Sequence, residues 1–86
     1  MYTLIVDCNG FILEHCAHII DPSGAIVGLM HLPAAEIAEF VAHDSRISNV
    51  KLSGITDYCN GLKEEIENKI ALEYANKTRK VEIEVI

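Results

Sequence analysis

The stretch Glu14-His15-Cys16-Ala17-His18 packs a carboxylate, a thiol and two imidazoles into five residues. In an extended strand side chains alternate between faces, so Glu14, Cys16 and His18 share one side and His15 falls on the other. Carboxylate, thiolate and imidazole are the ligands that transition metals take, which makes Glu14, Cys16 and His18 a candidate set. A mixed polar sheet face is the plainer reading of the same residues. Cys8, Cys16 and Cys59 are the three cysteines of the chain, with no Cys-x-x-Cys pair among them. An odd number without that spacing is neither a disulfide framework nor a zinc ribbon. They are read as free, half-buried thiols.

The chain has 86 residues, half of them apolar, with 13 Asp and Glu against 7 Lys and Arg for a formal net charge of −6. That length supports one domain with a small core, of which each member matters. The acid balance argues against autonomous nucleic-acid binding, because phosphate recognition needs a basic patch. The basic residues are scattered apart from Lys77, Arg79 and Lys80. No apolar run approaches the roughly 20 residues of a membrane helix. The opening MYTLIVDCNG has no basic n-region, so a cytoplasmic protein without a membrane partner is expected.

These side chains must be held by elements that the periodicity outlines. Tyr2–Cys8 alternates as a strand, with Tyr2, Leu4, Val6 and Cys8 on one face. Asn9-Gly10 follows as a hairpin signal; a two-residue turn there sets Cys8 opposite Phe11 and makes Phe11–Ile20 the second strand. Asp21-Pro22-Ser23-Gly24 reads as a type I turn. Ala25–Leu32 is a third strand, and Gly28 within it predicts a bulge or a close backbone approach. The spacing predicts a helix over Pro33–His43, with Ile37, Phe40 and Val41 inward. Asn49–Ile55 is a fourth strand with Val50 and Leu52 inward. A second helix, capped by Thr56 or Asp57, repeats Tyr58, Leu62, Ile66, Ile70 and Tyr74 at spacing four. Asn76–Arg79 reads as a loop and Lys80–Ile86 as a fifth strand. The order is β-β-β-α-β-α-β, with the first, fourth and fifth strands parallel through right-handed crossovers.

A three-stranded meander followed by α-β-α-β resembles the ribonuclease H-like fold. The segment Val50-Lys51-Leu52-Ser53-Gly54-Ile55-Thr56-Asp57-Tyr58-Cys59-Asn60-Gly61-Leu62 is similar to that family's strand-to-helix motif, a Leu-Ser strand end leading through an Asp to a Tyr and then Gly-Ile. Ile5-Val6-Asp7-Cys8-Asn9 is similar to its first-strand motif, Ala34–Val41 with Glu36 to its first helix, and Lys80–Val85 to its fifth strand. The likeness covers nearly the whole chain, residues 1–86, in short motifs. Counting back from Tyr58, the family's third Asp falls on Ile55 rather than Asp57, and the sequence ends after the fifth strand, before the family's last helix. The same corner is similar to the Leu-Ser/Thr-Gly-Gly turn of actin-like ATPases, with Ile55 at the second Gly.

The resemblance implies a five-stranded mixed sheet with two helices mainly on one face. It also implies a carboxylate cluster of Asp7, Glu36 and Asp57, catalytic and metal-binding, that holds Mg²⁺ or Mn²⁺. Two such ions roughly 4 Å apart would activate water for cleavage of RNA or an RNA–DNA hybrid. Against that stand the displaced third Asp, the acid balance and the plain alternatives, in which Asp57 caps its helix and Glu36 is solvated. The leading expectation is therefore a noncatalytic ribonuclease H-like domain that works by protein association. A homodimer or a larger protein partner would cover the open sheet face, left with Ile5, Ile12, Cys16 and Ile20 among polar neighbours, or pair with an edge strand such as the last one.

Overall fold

The computed structural model describes residues 1–8, 14–73 and 80–86. It contains β1 (Tyr2–Cys8), β2 (His15–Ile20), β3 (Ile26–Leu32), α1 (Ala34–His43), β4 (Ile47–Gly54), α2 (Thr56–Glu73) and β5 (Glu82–Val85). The strands form one five-stranded mixed sheet in the order β3-β2-β1-β4-β5. β1 pairs antiparallel with β2 and parallel with β4; β4 is parallel to β5. The fold is α/β, with the order of elements that the periodicity predicts.

One face of the sheet carries the core. Leu4, Val6 and Cys8 of β1, Ala17 of β2, and Val50 and Leu52 of β4 are fully buried. They pack with Ile37, Ala38 and Val41 of α1 and Cys59, Leu62 and Ile66 of α2. Since every buried strand residue of β1 alternates with a more exposed one, both helices lie on that single face. The opposite face holds Thr3, Ile5 and Asp7, then Cys16, His18 and Ile20, then Lys51 and Ser53. Their neighbours on the outer strands are His31 and Leu29 on one side and Glu82 and Glu84 on the other.

The β1–β2 register differs from the two-residue turn. That turn would set Asp7 opposite Ile12, whereas Asp7 pairs with Cys16, Ile5 with His18 and Thr3 with Ile20. The slip is an even number of residues. Each side chain therefore keeps its face, and alternation alone does not distinguish the two registers. The Asn9-Gly10 turn and Phe11–Leu13 lie outside the described residues, as do Tyr74 and the predicted Asn76–Arg79 loop.

Asp21–Gly24 forms a turn closed by a backbone hydrogen bond. Gly24 donates to the Asp21 carbonyl at 3.0 Å and adopts φ +92°, where a side chain would be strained. The Asp21 carboxylate accepts the Ser23 hydroxyl at 2.6 Å and the backbone N–H groups of Ser23 and Ala25. The irregularity predicted at Gly28 is also present, since the β2–β3 ladder shifts between Ile19, opposite Gly28, and Ile20, opposite Ile26.

The helices differ in detail. α1 starts at Ala34, with Pro33 at its N-cap in an extended conformation and its carbonyl accepting the Ile37 N–H at 3.0 Å. Ala38 and Ala42 complete the buried stripe with Ile37 and Val41, while Phe40 is only half-buried. α2 starts at Thr56, so Thr56 and Asp57 stand inside the first turn. Ile55, whose carbonyl accepts the Cys59 N–H, occupies the cap position. Its buried stripe is Cys59, Leu62 and Ile66, and Tyr58 is 45% exposed. A spacing of four drifts about 40° per step against 3.6 residues per turn, which carries Tyr58 off the face that Leu62 and Ile66 share.

Candidate functional site

β1, β3 and β4 run in the same direction, because β2 is antiparallel to both of its neighbours. Their carboxyl ends make one edge of the sheet. Asp7 is the penultimate residue of β1 and pairs with Ser53 near the end of β4. Glu36 lies in the first turn of α1, which follows β3 directly, and Asp57 in the first turn of α2, which follows β4. The three predicted carboxylates thus belong to the same edge, and all are exposed.

They do not share a face of it. Val6 and Cys8 are buried under the helices, so Asp7 between them points to the open side of the sheet, while Glu36 and Asp57 ride on the helices of the other side. Among the described residues no group of three or more His, Cys, Asp and Glu side chains is placed to hold a metal ion. This covers Asp7, Glu36 and Asp57, and it covers Glu14, Cys16 and His18 as well. Cys16 and His18 do share the open face; Glu14 precedes β2 and is exposed.

Beneath this edge lies a chemistry that residue spacing alone did not single out. Cys8 ends β1 and Cys59 sits in the opening turns of α2; both are fully buried and both are free thiols. The Cys8 thiol is pushed up to about 12, first by burial and then by the neighbouring Cys59 and Asp7. Cys16 is half-buried on the other side of the sheet. The reading of half-buried thiols therefore holds for Cys16 and is corrected for the other two. The signal for Cys8 was its place in the apolar alternation of β1. For Cys59 it was the spacing of three to Leu62. His15, on the core face of β2, is also buried, and its Nδ1 has no hydrogen-bond partner.

No protein-family profile matches the chain, and no curated protein does.

The remaining surface of note is the β3 edge. β3 is the outermost strand on its side, and Ile26, Val27 and Leu29 are 64%, 54% and 62% exposed. The strand IVGLMHL carries no Asp, Glu, Lys or Arg. β5, the other edge, has four residues and exposes Glu82 and Glu84. No described helix is long and apolar enough to cross a membrane.

Proposed function

We propose that this chain is a small noncatalytic domain of ribonuclease H-like topology that works by association, and that its partner is a second copy seated along β3. The meander followed by α-β-α-β, with β1 central and parallel to β4, supports the topology. The exposed, uncharged edge of β3 is the observation that carries the association. An unpaired strand edge presents backbone donors and acceptors ready for another strand, and a long apolar one is costly to leave open. Two copies of β3 meeting about a two-fold axis make a self-complementary antiparallel pair. That contact opposes no like charges, although each chain carries a net charge of −6. Pairing β5 with itself would bring acidic strands together, which disfavours that edge.

The test is the solution mass by light scattering, for wild type and for Leu29→Lys, with Leu72→Lys on α2 as the control for a charge placed on another exposed leucine. The mass of a dimer for wild type and the control, and of a single chain for Leu29→Lys, is the expected outcome. A wild type that stays monomeric at high concentration ends the self-association reading and leaves a larger partner protein as the alternative.

One observation favours a second reading, a divalent-metal-dependent nuclease acting on RNA or an RNA–DNA hybrid. Asp7, Glu36 and Asp57 all belong to the carboxyl edge of the sheet. As placed they do not form a three-ligand set, so this reading ranks second. Cleavage of a hybrid duplex with Mn²⁺, present in wild type and lost in Asp7→Asn, would raise it to first. No metal-dependent cleavage removes it.

A further inference from the structure

We propose that β5 is a docking edge for an extended segment of another protein in which basic and apolar residues alternate. β5 is the outermost strand on its side of the sheet and is paired through β4. Ile86 donates its N–H to the Leu52 carbonyl at 2.8 Å, so the even-numbered residues of this stretch turn their backbone groups toward β4. Along a strand these groups alternate sides, and the N–H and C=O of Ile83 and Val85 therefore point outward, away from the sheet. Outward main-chain groups of this kind are a template on which an extended segment adds as a further strand.

The side chains of β5 define what that segment carries. On the open face Glu82 and Glu84 are exposed, and the ladder sets them beside Asn49 and Lys51. The β4–β5 ladder forms a groove of about 420 Å³ lined by Asn49, Val50, Lys51, Glu82, Ile83 and Glu84. Among the described residues neither glutamate is held in an ion pair. On the core face Ile83 and Val85 pack against the buried cluster yet stay half-buried, whereas Val50 and Leu52, one strand further in, are fully buried. Residues directly opposite on neighbouring strands share a face. An added strand therefore sets one series of side chains against Glu82 and Glu84 and the other against Ile83 and Val85. Lysine or arginine suits the first series, and valine or isoleucine the second.

The same features turn other occupants away. A second β5 would oppose glutamate to glutamate, and the net charge of −6 on each chain adds to that repulsion. β3 of another copy carries no lysine or arginine to set against the pair. Nucleic-acid phosphates meet carboxylates there instead of cations. The short acidic edge thus blocks copies of this chain and selects a strand of opposite charge. Pairing along β3 uses the other edge of the sheet and is independent of this contact.

The probes are capped, fluorescein-labelled peptides of about eight residues, enough to span a short strand. One alternates lysine with valine, one alternates glutamate with valine, and one gathers the lysines and valines of the first into separate blocks. Binding to the full chain is read by fluorescence anisotropy, for wild type and for Leu29→Lys, in which the β3 edge is altered. The alternating lysine peptide is expected to bind both chains alike and at least tenfold more tightly than the other two peptides. Its affinity should fall several-fold as salt rises from about 0.05 M to about 0.3 M, since the charges lie at the surface. Amide exchange followed by NMR should slow at Ile83 and Val85. Glu82→Lys,Glu84→Lys changes exposed side chains alone and is expected to reverse the preference toward the glutamate peptide. Equal binding of the block peptide, or protection that falls on β3 instead of β5, overturns the proposal. So does an absence of binding at millimolar peptide, which would leave the β5 charges the sole role of keeping other strands away.

Discussion

Gly28 lies opposite Ile19 in the β2–β3 ladder, and a Cβ built on Gly28 would stand 3.0 Å from Cδ1 of Ile19. The isoleucine fills the space that a side chain would take. Gly28→Val forces both branched side chains into that space beside the ladder shift, and overpacking of this kind costs roughly 1–3 kcal/mol. Gly28→Ala places only a methyl against the flexible end of Ile19, and there the loss of glycine's backbone freedom offsets the crowding. Urea denaturation is expected to lower the midpoint clearly for Val and to leave Ala close to wild type. Equal midpoints for all three would mean that Ile19 does not need the vacancy.

Leu52 and Ile66 meet from the sheet and from α2 within the same fully buried cluster. Truncation of either leaves a cavity in a core with few members. Leu52→Ala and Ile66→Ala are each expected to cost about 2–5 kcal/mol. Leu72→Ala, on an exposed position of α2, is expected to stay within about 0.5 kcal/mol of wild type. Thermal unfolding followed by circular dichroism checks the contrast.

The Asp21 carboxyl is held below its ordinary value of 3.8, first by the Ser23 hydroxyl and then by the Ala25 N–H. A carboxyl depressed in the folded state contributes stability above its unfolded pKa and loses it as the pH falls through the folded one. The Asp21 contribution is thus complete at neutral pH and decays only below about pH 3.8. Ser23→Ala removes the largest cause. A carbon-detected NMR titration should then show the Asp21 pKa moving up toward 3.8, with the loss of stability complete at pH 7 and shrinking as the pH falls below about 3.8. An unchanged Asp21 titration would assign the depression to the backbone donors instead.

Thiol accessibility separates the three cysteines. Cys16 is half-buried, whereas Cys8 and Cys59 are fully buried and Cys8 is pushed up to about 12. Under brief iodoacetamide treatment of the folded, reduced protein, Cys16 is expected to be alkylated at least tenfold faster than the other two, because the thiolate is the reacting form. In denaturant the three rates should converge. Early labelling of Cys59 in the folded protein would show that the opening turns of α2 detach readily.

Much of the fold was written in periodicity. Leu4, Val6 and Cys8 against Thr3, Ile5 and Asp7 identified β1 and its buried face, and Val50 and Leu52 did the same for β4. Gly28 marked an irregular ladder, and Gly24 closed a turn. What local pattern left open was what depends on contacts between distant residues. Alternation allowed two registers for β1 and β2 because even slips bury the same residues. The spacing-four series in α2 promoted Tyr58 over Cys59, whose burial is set by the packing of α2 onto the core cluster. The carboxylates were legible as members of one edge, since direction follows from topology. Their division between the two sides of the sheet depends on the helices both choosing the same face.

The parallel pairing of β1 with β4 also has a cost in time. Thr3 meets Asn49, so about 45 residues must be added after β1 before its inner edge finds a partner. At the usual pace of synthesis of about 5–20 residues per second, that is a wait of roughly 2–9 s during which the β4-facing edge of β1 stays unpaired. The strand at the centre of the finished sheet is thus, for a nascent chain, an open edge until β4 arrives.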